Sequence, residues 1–262
     1  MKALALVGAL VLAAPAVAGA DLPEVQARGA LRVLVMPLSA ADEFFSVPLG
    51  AKPGFDREIL DGFARLHRLK LEVVPVEGWD NLVPALLQGR GDVVAGRFTV
   101  TDTRRRQVAF TTEVFPTRNV AMTRKPHPPV TTLDALKTRR VATIKGSSMA
   151  EVVRSVLPAG SVDDSFAPGT LPAALKAGKA EVAVLGVESA IAAQRKDPQI
   201  ELGVFVGAPM SLAYGVRPKD AALLAALDEY IDNLRRTPTW NRLVVDYFGA
   251  AAPEILKKAR AE

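Results

Sequence analysis

Four arginines fall within sixteen residues of the stretch GRFTVTDTRRRQVAFT, Gly96 to Thr111. Clustered arginines form a solvated face, a nucleic-acid patch, or a clamp whose planar fork grips a small anion at two points. Thr101 or Asp102 can cap a short helix holding Arg104 to Gln107. Neighbours on a helix diverge by about 100°, so at most one or two of Arg97, Arg104, Arg105 and Arg106 can face one cleft. Arg104 lies in the first turn, with Thr99 and Thr101 as hydroxyl donors beside it. An ion pair of Arg104 with Asp102 or Glu113 fits the pattern as well as a ligand clamp does.

A second anion-seeking stretch is IKGSSMAE, residues 144–151. A strand ends, Gly146 allows a tight turn, and Ser147 or Ser148 opens a helix. Helix N-termini carry unpaired N–H groups and a positive partial charge, and carboxylates settle there. An ordinary serine cap is the plainer reading. Trp79, Phe44 and Phe45 stand near strand ends, where each is a ligand platform or a core aromatic.

Other chemistries find little support. There is no cysteine, and His67 and His127 are the only histidines, so neither a histidine-based metal site nor a Ser-His-Asp triad is expected. No catalytic residue, metal ligand or cofactor is nominated. Net charge is +5 with 6% aromatics, which lacks the basic clustering and stacking rings of a nucleic-acid binder. The opening MKALALVGALVLAAPAVAGA has a charged start, an apolar run and the small pair Ala18 and Ala20. It reads as a signal peptide over 1–20, cleaved near Ala20, with a retained anchor as the rival. The expected location is the periplasm.

The elements that must position these residues alternate. LRVLVM (31–36), KLEVVPV (70–76) and DVVAGRF (92–98) read as strands. Between them lie helices over 54–69, with Ile59, Phe63 and Leu66 on one face, and over 79–89, with Leu82, Leu86 and Leu87. That is β-α-β-α-β, a parallel sheet covered by helices. Residues 108–125 are extended. A second unit follows, with strands at 139–144, 161–166, 180–186 and 200–207 and helices at 148–157, 171–179 and 188–197. Residues 211–218 are extended again and lead back. The terminal helices lack a sheet of their own and are expected to bury Leu223, Leu227, Ile231 and Leu234 on the first unit. The prediction is an α/β protein of two lobes with two crossover segments: lobe 1 over 21–115 plus 212–262, lobe 2 over 116–211. Its cleft lies where strand ends meet.

The chain resembles the periplasmic solute-binding proteins of the polar amino-acid type, the receptors of ABC importers. The resemblance rests on GFDREIL (54–60), GWDNLVPALLQGRGDVVAG (78–96), TVTDTRRRQVAFT (99–111), VATIKGSSMAE (141–151), GKAEVAV (178–184), YGVRPKD (214–220) and TWNRLVVDYFG (239–249), taken in order. It implies a type II Venus-flytrap fold that closes on a small carboxylate ligand, a monomer partnered by an inner-membrane ABC permease. It also implies that Arg104 clamps the ligand carboxylate with help from Thr99. Ser147 and Ser148 would reach the same carboxylate from the other lobe, and Trp79 and Phe45 would cover the ligand.

Two departures stand out. The resemblance implies an acidic residue for the ligand's ammonium near the end of the second lobe's last sheet strand, where this chain has Gly186, with Glu188 out of register. Arg97 stands where a small residue is usual. A cleft with Arg97 and Arg104 and no anion is poorly matched to an ammonium group. The ligand is then a carboxylate lacking a free α-amine, or an amino acid bound through a changed amine site, unless Glu188 turns in. The alternatives in function are a periplasmic dehydratase of the cyclohexadienyl type, using Glu181 or Glu188, and a soluble sensor that presents its closed form to a membrane signalling protein.

Overall fold

The computed structural model describes residues 21–37, 43–46 and 52–261; the expected leader, 1–20, lies outside the described residues. Asp21 caps α1 (Leu22–Arg28), and Gly29 ends it in a left-handed turn at φ 73°. Then come β1 (Ala30–Val35), α2 (Phe55–Leu66), β2 (Lys70–Pro75), a 3-10 turn at Trp79–Asn81, α3 (Leu82–Leu87), β3 (Val93–Val94), α4 (Asp102–Arg105) and β4 (Ala109–Phe110). Here β1 pairs in parallel with β2 and with β3, the arrangement that helical crossovers require. The near-continuous burial of β1 marks it as a central strand.

The chain next enters β5 (Phe115–Arg124), α5 (Leu133–Lys137), β6 (Val141–Ile144), α6 (Ser148–Val156), β7 (Val162–Phe166), α7 (Leu171–Lys176), β8 (Val182–Gly186), α8 (Val187–Lys196) and β9 (Ile200–Leu212). It returns through β10 (Gly215–Val216) to α9 (Ala221–Arg236), α10 (Pro238–Phe248) and α11 (Ala252–Arg260). The first sheet has the order β2-β1-β3-β10-β4 and the second β7-β6-β8-β5-β9. β10 lies antiparallel between β3 and β4, so the second crossover does lead back to the first lobe.

The two crossover strands pair with each other, from Phe115 opposite Leu212 to Arg124 opposite Ile200. Short bonds tie their base to the turn after β3: the Val100 N–H donates to the Ser211 carbonyl at 2.9 Å and the Ala213 N–H to the Phe98 carbonyl at 3.1 Å. Phe44, Phe55, Phe115 and Phe248 form a knot at this junction, with ring centroids 4.9 to 5.9 Å apart. Each such contact contributes about 0.5–1.5 kcal/mol beyond area burial. The knot ties Phe44 to α2, the first crossover and α10.

Some details differ from the sequence reading. The buried stripe of α2 runs through Phe55, Ile59, Leu60, Phe63 and Ala64; Leu66 lies at its edge in the last turn and is 66% exposed. Leu87, last in α3, overhangs likewise at 47%. α9 buries Leu223, Leu227 and Ile231 and packs on α1 and α2, while Leu234 is half-buried. α11, which the pattern did not announce, sets Ala252, Leu256 and Ala259 against β5, α8 and β9 of the second lobe. No helix among the described residues is long and apolar enough to cross a membrane.

Candidate functional site

The turn after β3 is built by a buried acid. Asp56, in the first turn of α2 and 3% exposed, accepts from the Gly96 N–H at 3.0 Å, the Arg97 N–H at 3.3 Å and the Tyr214 hydroxyl at 3.2 Å. These bonds pin Arg97 at φ 62°, a left-handed conformation that non-glycine residues rarely adopt without support. Burial pushes the Asp56 carboxyl up to about 7, against those donors and the nearby Arg97 charge. The Arg97 guanidinium lies 5.4 Å from the Phe44 ring.

Thr101 caps α4, accepting from the Arg104 N–H at 3.3 Å. The Arg104 Nη1 donates to the Thr99 carbonyl at 2.9 Å, and the guanidinium stacks on Phe98 at 4.4 Å. Among the described residues it has no ion-pair partner: Asp102 is exposed, and Glu113 is taken by Arg235, Arg260 and Ser211. Burial pulls the Arg104 pKa down to about 10, with Glu151 and Asp80 acting against it, so the group stays charged at neutral pH. Arg105 and Arg106 point to solvent.

From the second lobe, Ser147 caps α6, accepting from the Ala150 N–H at 3.2 Å while donating to the Ile144 carbonyl at 2.6 Å. The plain capping role is therefore real. Ser148 crosses the cleft: its Oγ donates to the Thr99 Oγ1 at 3.1 Å. Gly146, at φ 66°, sits so close to the first lobe that an added Cβ would stand 2.5 Å from Asp80 Oδ2. The lobes are closed on each other.

Between them is a cavity of about 760 Å³. Trp79, Arg97, Thr99, Arg104, Ser147 and Ser148 all line it. Phe45 does not stand among its lining residues; it is 3% exposed within the main core. Glu181 is exposed, on the rim of β8, and faces Arg139 at 3.9 Å.

Glu188 is the main surprise. The sequence register puts it past the strand end, yet it is 4% exposed and lines the cavity. From the first turn of α8 its carboxyl folds back over Gly186, filling the space a side chain at 186 would need. Thr117 Oγ1 donates to its Oε2 at 2.5 Å and Ser189 Oγ to its Oε1 at 3.3 Å. Burial raises its pKa, opposed by Thr117 and by the Arg97 charge. The strand ends at Gly186 and the helix follows, as the pattern indicates; of the two alternatives, the one in which Glu188 turns in is found, and the cleft without an anion is not. Asn119, not foreseen, also lines the cavity and pairs across the ladder with Gly186. Its signal was a polar residue inside the buried strand FPTRNVAM.

At the outer end, Lys196 meets Glu43 at 2.5 Å and Arg124 meets Asp197 at 2.7 Å. Among the described residues the lining holds five basic residues (Arg97, Arg104, Arg124, Lys176, Lys196) and three acidic ones (Glu43, Glu188, Asp197).

The chain is 25% identical over 205 residues to the lysine/arginine/ornithine-binding periplasmic protein of Escherichia coli (strain K12), covering 74% of this chain and 78% of that one. In fold it matches a Streptococcus pneumoniae amino acid ABC transporter substrate-binding protein bound to L-arginine, at TM-score 0.77 and 22% identity over 88% of this chain and 99% of that one. It also matches an ancestral amino acid-binding protein described as a precursor of cyclohexadienyl dehydratase, at TM-score 0.76 and 22% identity over 86% and 98%. The model of the bacterial extracellular solute-binding proteins, family 3, matches residues 43–250, and the chain belongs to that family.

Proposed function

We propose that this protein is the extracytoplasmic receptor of an ABC importer, acting as a monomer in the periplasm, and that its closed cleft holds a small carboxylate-bearing ligand, an amino acid or a related anion. The observation that carries the reading is Arg104: a largely buried cation without a carboxylate partner among the described residues, facing a cavity where Thr99, Ser147 and Ser148 converge. A ligand carboxylate would complete that set with charge-assisted bonds. Lobe 2 would be 116–211 and lobe 1 21–115 plus 212–262, hinged at the two crossovers, with α11 at the end of lobe 1 reaching across to pack on lobe 2. Ligand bridging both lobes stabilises the closed form by its differential contacts, and the closed form would be what a permease reads. Mass spectrometry of small molecules released from the purified protein by denaturation tests the reading: a compound with a carboxyl group is expected, and a ligand without one would refute it.

A second reading is favoured by Glu188, whose buried carboxyl is held toward its protonated form inside the cavity. In a hydroxylated cyclohexadiene acid, loss of the ring carboxylate as CO₂ supplies the electron pair that aromatises the ring and expels the hydroxyl. Glu188 would give that hydroxyl its proton, so that water leaves. Consumption of prephenate or arogenate, abolished by Glu188→Gln, would establish it; an intact substrate would dismiss it.

A further inference from the structure

We infer that the ligand is an N-acylated α-amino acid, such as the carboxyl end of a short peptide, with its carboxylate on Arg104 and its amide group beside Gly186. The inference rests on the carboxylate-receptor reading and narrows it. Three observations carry it.

The first is the chemistry around Gly186. A free ammonium group is best met by an ionised carboxylate with room to approach it. Position 186 offers no side chain, and the space above it is filled by Glu188. Both Glu188 oxygens already accept hydrogen bonds, from Thr117 and Ser189, and burial holds the group toward its neutral form. What remains is a carboxyl whose two oxygens are already engaged by the protein.

The second is Asn119. It is 1% exposed, stands opposite Gly186 in the β5–β8 ladder, and its Nδ2 finds no acceptor among the described residues. A carboxamide offers one donor edge and one acceptor edge whichever way it is turned. That pair of edges is the complement of a secondary amide, which also brings one N–H and one C=O. An ammonium group brings donors only and matches one of those two edges.

The third is size. The cavity's volume of about 760 Å³ falls within the roughly 300–1,000 Å³ that encloses drug-sized ligands. A free amino acid gripped at Arg104 fills only the inner part. Leu171 and Ala173 of α7, and Ala192 and Lys196 of α8, line the same cavity as Arg104 and Gly186. An acyl group on the α-nitrogen points a ligand into that room.

The test is a thermal-shift and calorimetric comparison of matched panels on the purified protein: free L-amino acids, their Nα-acetyl derivatives, Nα-acetyl amino acid amides, and Ala-Xaa dipeptides. For at least one side chain, the acetylated acid or the dipeptide is expected to bind roughly tenfold or more tighter than the free amino acid, and blocking the carboxyl as an amide is expected to abolish binding. Preference for dipeptide over acetyl compound would identify the peptide as the source. A free amino acid that binds as tightly as its acylated form, while still losing affinity in Arg104→Ala, overturns this inference and leaves the carboxylate reading standing. Amides that bind as well as acids overturn the carboxylate reading beneath it. Silence across all panels overturns the inference. The double variant Gly186→Asp/Glu188→Ala, which puts an acid at 186 and clears the collision, is expected to reverse the preference toward free amino acids; an unchanged preference counts against the assignment of Gly186.

Discussion

β3 is two residues long, Val93–Val94, and charge is handled in opposite ways at its two ends. At its start Asp92, fully buried, receives Arg28 at 2.6 Å, Arg32 at 2.8 Å and the Arg32 N–H at 2.8 Å. Arg217 stands 3.8 Å away, forms a close ion pair with Asp220 at 2.6 Å, and donates to the carbonyls of Leu86 and Gly91. Its Nε–H is not aligned for a hydrogen bond to that carboxylate, so the pair is held by charge and proximity. At the far end Arg104 has one carbonyl and a phenylalanine face. Asp56 there is held by backbone N–H groups and a tyrosine hydroxyl. The first end uses its arginines to join chain segments. At the second end an arginine has no ion-pair partner among the described residues.

The largest expected effect is at the first end. Arg217→Ala strands Asp220 and withdraws a cation from Asp92, and removal of one partner from a buried pair costs about 3–5 kcal/mol. Urea unfolding should show that loss, while any ligand affinity measured on the folded fraction stays near wild type. Asp56 comes next. Its folded pKa lies above its unfolded one, so its contribution to stability is complete below about pH 4 and is lost as pH rises through about 7. Stability should fall across that window by an amount on the order of 4 kcal/mol, and Asp56→Asn should flatten the slope. A wild-type curve that rises from pH 5 to 8 with no change in Asp56→Asn would contradict the assignment.

The smaller effects lie in the cavity. Arg104→Ala should weaken ligand binding by about 1.5–3 kcal/mol, one to two orders of magnitude, and leave the unfolding midpoint unchanged or slightly raised. That split is the sharpest contrast with Arg217. Ser148→Ala removes the bond across the cleft to Thr99 and should cost about 0.5–1.5 kcal/mol of affinity, read by calorimetry.

What the sequence made legible follows the same division. Alternating β-branched runs and helical stripes announced the parallel β2-β1-β3 core and the second α/β unit, because buried faces impose their period on the chain. The β3 turn announced itself through Thr99, Thr101 and Arg104, since a cap and a strand end lie within a few residues. The unforeseen parts depend on contacts far apart in sequence. The pattern puts Glu188 at the start of its helix but leaves open whether its carboxyl turns into the cleft, because that depends on Thr117, far away in sequence. Phe45 went to the core because Gly96 and the phenylalanine knot receive that loop. α11 was missed because its short apolar stripe, Ala252, Leu256 and Ala259, is weak without the crossover strands it covers.

The account turns on whether Arg104 is held for a ligand carboxylate. Once the co-purifying molecule is identified, calorimetric titration of that compound into wild type and Arg104→Ala, with unfolding midpoints measured in parallel, tests this most directly. The account predicts affinity lower by about ten- to a hundredfold in a variant that folds as well as wild type. Equal affinity in a well-folded Arg104→Ala would contradict it.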